Sequence, residues 1–338
     1  MILIIGALSP LTGGTSVSLF EYKAYLESDQ RFVFFDSNSI KKHNRIKHIA
    51  SLMSYFANAS VISFHVSDHA ATRVLPILYI LSRLCFKRVI YRQFGGEFIE
   101  TYKSLSKLKR AIVKRTILKS DVLYFQTKKM VDYFTQHVSP KSKIRWLPTS
   151  RINIYQYRCK SIPVDNINIL YIGRVVKEKG IRELVCAVNS VEGFKLKIYG
   201  ELKDDNILQL INKSPCCCYY GRLSREKISQ ALMKGDLFAL PSYHPGEGYS
   251  GALIEAMFAG LPIIVSKWNA FTEMFSNDEV IFVTPGSTSD IKEKLIQIKK
   301  DPHILLDYSK RSYTASSRFN LEIVINEFIE DHLECAEL

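Results

Sequence analysis

The sequence predicts an α/β protein of two Rossmann-like, doubly wound parallel-sheet domains facing each other across a cleft. Three observations predict it. Short apolar runs of strand character alternate with helical periodicities along the chain, the pattern of a parallel sheet covered on both faces. The alternation lapses between Pro148 and Asn168, which reads as a linker, and then begins again. At 338 residues the chain is long enough for two domains of ordinary size. The expected division is 1–160 and 161–317, with ligand at the carboxyl ends of the strands.

The first series opens with a strand over Ile2–Leu8, a turn containing Gly13 and Gly14, a helix over Ser16–Leu26 and a strand at Phe32–Phe35. The glycine pair allows a backbone to approach a ligand closely, although it is not the G-x-G-x-x-G dinucleotide pattern. Strands follow at Val61–Val66, Arg88–Phe94, Val122–Gln126 and Ile144–Leu147, with helices at Ala71–Leu84, along the basic run Lys103–Lys119, and at Lys128–Gln136. In the second series the strands are Ile169–Gly173, Lys195–Tyr199, Cys216–Tyr220, Leu237–Leu240, Ile263–Val265 and Val280–Val283. Helices over Ile181–Val191, Asn206–Ile211, Arg225–Met233, Ser250–Ala259 and Ser289–Lys300 lie among them, and the tail from His303 to Cys335 reads as mostly helical.

Composition narrows the function classes. A hydrophobic share of 47% describes a globular chain. The opening Met1-Ile-Leu-Ile-Ile lacks a basic n-region and reads as a strand, and the apolar run Val74–Leu81 is too short to span a bilayer, so the expected location is cytoplasmic. Seven cysteines, odd in number and without a C-x-x-C pair, read as reduced thiols and not as a disulfide or metal framework. The net charge of +13 is uneven: residues 1–150 hold 23 Lys and Arg against 9 Asp and Glu, and the remainder 23 against 24. Its densest pieces are Lys41–Lys47 and Lys103–Lys119. In the latter Lys103, Lys107, Arg110 and Lys114 recur at helical spacing beside an apolar face. Such a helix suits a membrane surface, or a solvated helix packed by its apolar side. Two basic segments in one domain point to an anionic lipid surface or a polyanionic ligand. Nucleic acid is disfavoured, because the cations are not interleaved with stacking aromatics or a known module.

The candidate chemistry lies in the second half. Strand, glycine-rich loop and helix run from Asp236 to Ala259, with Glu247 on the loop and Glu255 in the second turn of the helix. The unpaired N–H groups of Tyr249, Ser250, Gly251 and Ala252 stand at the helix start, where the macrodipole favours anions. A carboxylate beside an anion site suits a ligand with both phosphates and hydroxyls, which a nucleotide-sugar has. Arg174, at the end of the strand Ile169–Gly173, and Lys179, at the entrance of the next helix, bring two cations to the same edge. Together with helix N–H groups they can hold a diphosphate and stabilise its charge as it departs, without a metal.

These residues resemble the family 4 glycosyltransferases, retaining enzymes of the GT-B fold. The matching pieces are Gly173-Arg174-x4-Lys179-Gly180, Ala239-Leu-Pro-Ser242, the pair Glu247-x7-Glu255, Glu255-Ala-Met-x-Ala-Gly-x-Pro262, and Glu273 after Trp268-Asn-Ala-Phe. The resemblance covers nearly the whole chain and is strongest from Leu170 to Glu273. It implies that Arg174 and Lys179 bind a donor diphosphate, that Glu255 binds the nucleotide ribose, and that Glu247 lies at the donor sugar. It further implies that Gly13 and Gly14 meet the diphosphate from the first domain, and that a helix over about 318–338 packs back on that domain. The chain departs from the family where many members carry a histidine before a glycine: here stands Gln93-Phe94-Gly95-Gly96-Glu97, so that role passes to backbone, to Arg92 or to Glu97, or is absent. His65 reads as structural.

The expected activity is therefore a retaining, metal-independent transfer of a hexose from a nucleotide-diphosphate sugar, a UDP-sugar before a GDP-sugar, to a hydroxyl of a glycan acceptor. A lipid-linked acceptor of surface-polysaccharide assembly, met by a protein peripheral on the inner face of the membrane, suits the basic first half. No bound cofactor is expected. The alternatives are a nucleotide-sugar isomerase of similar fold and a non-catalytic partner of another transferase.

Overall fold

The computed structural model describes residues 1–9, 14–41, 45–137, 142–157 and 166–337. It divides into one unit of Met1–Ile152 with Leu321–Leu338 and a second of Asn153–Asn320. The first unit holds the strands β1 (Ile2–Gly6), β2 (Phe32–Asp36), β3 (Val61–Val66), β4 (Arg88–Gln93), β5 (Val122–Phe125) and β6 (Lys143–Trp146). They form one sheet in the order β2-β1-β3-β4-β5-β6, all pairs parallel.

Successive strand residues face opposite sides, which sorts the core into two layers. Leu3, Ile62, Val89 and Leu123 pack under one set of helices, while Ile4, Val61, Ile90 and Val122 face the helix Gly14–Tyr25 and the final helix Leu321–Glu337. That final helix is fastened by Asp331, which accepts from Tyr124 Oη at 2.8 Å and pairs with Lys143 Nζ at 2.5 Å. Phe328 and His332 lie against the ring of Tyr124.

The second unit repeats the plan with β7 (Ile167–Ile172), β8 (Phe194–Tyr199), β9 (Cys217–Tyr219), β10 (Leu237–Leu240), β11 (Ile263–Ser266) and β12 (Ile281–Val283). Their order is β12-β11-β10-β7-β8-β9, again all parallel. The chain steps one way from β7 to β9, then returns to place β10 on the other side of β7. The two loops that leave β7 and β10 therefore diverge at the switch point of the sheet, where α/β folds bind ligands.

Several expected elements differ. Ala71–Leu84 is two helices, Asp68–Arg73 and Leu75–Leu84, because Pro76 has no N–H to continue the first and suits the opening turn of the second. The basic run is the end of helix Phe98–Ser104, helix Lys107–Arg115 and a 3-10 turn at Ile117–Lys119. The break falls where Leu105 is extended and Ser106 caps the new helix by accepting from the Lys109 N–H. The basic cluster Lys41–Lys47, of which 42–44 lie outside the described residues, runs into an unexpected helix over Arg45–Asn58, none of whose side chains is fully buried. The linker begins inside the first unit, since Thr149, Ser150 and Arg151 are buried there. Among the described residues no helix is long and apolar enough to cross a membrane.

Candidate active site

The site in the second unit is built at the carboxyl edge of β7, β10 and β11. Beyond β7 the chain passes Gly173 and Arg174, makes a 3-10 turn over Lys177–Lys179, and enters helix Ile181–Asn189 through Gly180. Gly180 has φ +70°, and a Cβ there would lie 2.0 Å from the carbonyl oxygen of Pro241, the residue after β10. Only glycine allows the two loops to touch in this way. The contact is continued by the Tyr243 N–H, which donates to the Glu178 carbonyl at 2.8 Å.

This close approach brings Lys179 to Glu247. Lys179 Nζ lies 2.5 Å from Glu247 Oε2, with the side chains 11% and 8% exposed. Ser242 Oγ donates to the same oxygen, and the Ser242 carbonyl in turn accepts from Ser266 Oγ at the end of β11. Oε2 is thus held from two directions. Oε1 makes no hydrogen bond within the described residues. An ionised carboxylate is acceptor-only, so that oxygen is open to a hydroxyl donor. Trp268 Nε1 donates to the His244 carbonyl at 3.1 Å and Asn269 Nδ2 to the Pro245 carbonyl at 2.7 Å, which fixes the loop carrying Glu247.

Helix Gly251–Phe258 follows, with Ser250 at its cap; the Ser250 side chain makes no capping bond. Gly251 and Ala252 open the first turn, half-exposed, and Glu255 stands half-exposed in the second. The hydroxyl of Tyr155 is pushed up to about 12, first by burial and then by the charge of Glu255. Tyr249 differs from the expected ligand contact in its side chain: the ring is buried edge-on against Phe319 and its hydroxyl donates to Glu273 at 2.8 Å.

Arg174 is exposed and makes no ion pair among the described residues. Its carbonyl accepts from Tyr171 Oη at 2.7 Å, and burial, with the Glu247 charge behind it, holds the Tyr171 hydroxyl well above its usual range. At the end of β8, Gly200 has φ +143°, and a Cβ there would lie 1.7 Å from the Gly173 carbonyl oxygen, so the turn that launches Arg174 is pinned by a second glycine. Ser242 and Tyr171 were not read as site residues. Ser242 stood inside the Ala239–Ser242 motif, but only the contact shows what its hydroxyl does.

In the first unit Gly13 lies outside the described residues, while Gly14 is the exposed first residue of helix Gly14–Tyr25. Arg92 is 1% exposed, packed between the rings of Tyr22 and Phe94 at 4.5 and 4.6 Å, and therefore belongs to the interior. His65 is buried beside it with Nε2 at 3.1 Å from Ser63 Oγ. Glu97 is half-buried at the start of helix Phe98–Ser104, near enough to Asp68 that its charge helps burial raise the Asp68 carboxyl. Among the described residues no group of three or more His, Cys, Asp or Glu is placed to hold a metal ion.

Residues 158–315 match the family model described as glycosyl transferases group 1. A teichuronic acid biosynthesis glycosyltransferase, TuaC of Bacillus subtilis, is 27% identical over 143 residues, 41% of this chain and 35% of that protein. A Campylobacter jejuni N,N'-diacetylbacillosaminyl-diphospho-undecaprenol α-1,3-N-acetylgalactosaminyltransferase is 24% identical over 177 residues, 51% of this chain and 46% of its own. The match thus spans less than half the length of either relative. Among solved structures, Anabaena HepE in complex with UDP and glucose superposes with a TM-score of 0.74 over 97% of this chain and 98% of that one, at 15% identity. That likeness gives the fold class, two Rossmann-like units of the GT-B type.

Proposed function

We infer that this chain, whose residues 158–315 are a glycosyltransferase group 1 domain, transfers a hexose from a nucleotide-diphosphate sugar, UDP-linked before GDP-linked, to a hydroxyl of a glycan acceptor in surface-polysaccharide assembly. The observation that carries the reading is the buried Lys179–Glu247 contact at the switch point of the second sheet. An ammonium that spends one proton on Glu247 keeps two for diphosphate oxygens. Arg174 supplies a second, exposed cation at the same edge, and the N–H groups of Gly251 and Ala252 a third source of positive potential. Glu247 Oε1 takes a hydroxyl of the donor sugar, and Glu255 takes the ribose.

The reaction proceeds with retention. The anomeric carbon–phosphate oxygen bond breaks, the acceptor oxygen bonds to that carbon on the same face, and the acceptor proton passes to the departing phosphate. Arg174 and Lys179 stabilise the charge that grows on the diphosphate, without a metal. HepE was solved with UDP and glucose, which supports a UDP-linked donor. The name of the Campylobacter relative contains a diphospho-undecaprenol, which supports a lipid-linked acceptor and a cytoplasmic enzyme working at the membrane surface.

The test is a thermal-shift series with UDP, GDP, ADP, CMP and their sugars on the wild type and Lys179→Ala, followed by turnover of the sugar that binds. A shift from one nucleotide that vanishes in the variant supports the donor site. Full turnover by Lys179→Ala would overturn it.

A further inference from the structure

Helices Arg45–Asn58, Leu75–Leu84 and Lys107–Arg115 lie on one face of the first sheet, since Leu52, Phe56, Leu75, Tyr79 and Val113 all join the same core layer. Their outward sides are not polar. On Leu75–Leu84, Ile77, Ile80, Leu81 and Leu84 recur at i, i+3, i+4 and i+7 and are 62%, 47%, 49% and 70% exposed. This helix is therefore apolar on both sides, the inner stripe spent on the core and the outer one unpartnered within the unit. Ile46, Ile49 and Met53 repeat the pattern on Arg45–Asn58, and Leu108 and Ile112 on Lys107–Arg115. Twelve of the nineteen exposed large apolar side chains among the described residues fall between Ile46 and Ile112, which makes this a face and not a scatter.

Phe86 is its sharpest point. The helix ends with the Lys87 N–H donating to the Ser82 carbonyl and the Phe86 N–H to that of Arg83, the Schellman arrangement, which puts Phe86 at the position usually given to glycine. Phe86 has φ 56° and is 97% exposed. A bulky residue in the left-handed region is strained, and a side chain this exposed has little packing to offset the strain. Charge identifies what can cover the face. Residues 45–58, 75–88 and 107–119 contain no Asp or Glu and eleven Lys or Arg. Lys47, Lys107, Lys109, Lys114 and Arg115 are exposed and make no ion pair among the described residues. A second copy would bring cation against cation, whereas an anionic bilayer accepts both the apolar points and the charges around them.

We propose that this face docks on an anionic lipid bilayer, with Phe86 and Leu84 entering the acyl boundary and the lysines of helix Lys107–Arg115 lying on the headgroups. It takes up the lipid-borne acceptor of the proposed function, but its readouts do not involve catalysis. The test is flotation of the full chain with phosphatidylcholine vesicles, with and without phosphatidylglycerol. Wild type, Phe86→Gly, Leu84→Asp and Lys107→Glu/Lys109→Glu are compared, with melting and nucleotide-induced shifts recorded for each.

The wild type should float only with the anionic vesicles, less at high salt yet not zero. Phe86→Gly should float roughly tenfold less or lower, as the loss of one inserted aromatic implies, while its melting temperature rises because glycine relieves the left-handed strain. Leu84→Asp and the double charge reversal should also float less, with nucleotide shifts unchanged. Vesicle binding that survives in all variants overturns the proposal, as does a wild type that ignores vesicles and elutes as a dimer, which would assign the face to a second copy. A nucleotide shift absent from every protein counts against the transferase reading alone.

Discussion

Lys179 Nζ meets Glu247 Oε2 at 2.5 Å in a setting nearly closed to solvent. Removing one partner of such a pair strands a buried charge and costs roughly 3–5 kcal/mol, whereas replacing both by apolar groups is often close to neutral. Lys179→Ala and Glu247→Ala should each lower unfolding free energy by about that amount, and Lys179→Met/Glu247→Leu should recover most of it. Urea denaturation of the three proteins beside the wild type reads both losses and the recovery. A loss under about 1 kcal/mol in both single variants would show a pair of surface worth only.

Glu247 and Glu255 should separate in kinetics. A charge-assisted hydrogen bond is worth about 1.5–3 kcal/mol, so Glu255→Ala should weaken binding of the nucleotide alone roughly ten- to hundredfold, read by calorimetry. Glu247→Gln should leave nucleotide affinity nearly unchanged and lower kcat. The reverse pattern would exchange the two roles.

Gly180→Ala should be worse than an ordinary glycine substitution. Alanine at positive φ costs more than about 1 kcal/mol, and its Cβ would stand 2.0 Å from the Pro241 carbonyl oxygen. The loop bearing Lys179 must shift, so nucleotide affinity should fall together with the denaturation midpoint. Gly221→Ala also has φ above zero, at +72°, but open space around its Cβ. It should show the backbone cost without the loss of nucleotide binding.

His332 gives the fold a dependence on acid. Burial first, with the Arg92 charge adding to it, holds its imidazole down to about 4 from 6.5, against the hydrogen bond to the Phe328 carbonyl and the Asp331 charge, which both act to raise it. His65 is lowered too, again by burial first. In the unfolded chain both rings take up protons near 6.5, and in the folded chain His332 does so only near 4. The stabilisation is therefore complete above the unfolded value and drains away as pH falls from there towards 4, by up to roughly 3 kcal/mol for His332. Melting temperatures taken across that window should fall less steeply for His332→Gln, which keeps a polar group near Ser63 and cannot be charged.

What could be read from residues alone follows from where the information lies. Val61–Val66 and Leu237–Leu240 were bounded correctly because each is a run of strand formers closed by turn residues, and a central strand of a parallel sheet leaves little else for such a run to do. The break at Val74–Pro76 was missed because the apolar spacing carries on across it. Helix Arg45–Asn58 was missed because its outward apolar residues and cations obscure a stripe in which no side chain is fully buried. At the site, the glycines, cations and glutamates were legible as a motif. That Lys179 touches Glu247 was not, since it depends on β10 returning beside β7, and neighbourhood in a sheet is a property of topology and not of spacing.

The final helix, Leu321–Glu337, supplies one covering layer of a sheet whose strands all precede Ile152, and 168 residues of the second unit, Asn153–Asn320, come between. Phe328 packs on the rings of both Tyr22 and Tyr124, and during synthesis at about 5–20 residues per second Tyr124 must wait roughly 10–40 seconds, and Tyr22 roughly 15–60 seconds, for it to arrive from the ribosome. The second unit can close on itself while the first is still open on one side. The nascent chain thus exposes an aromatic floor for most of its translation, a standing invitation to a chaperone, and a stop codon anywhere before Leu321 would leave a half-roofed sheet rather than a smaller complete unit.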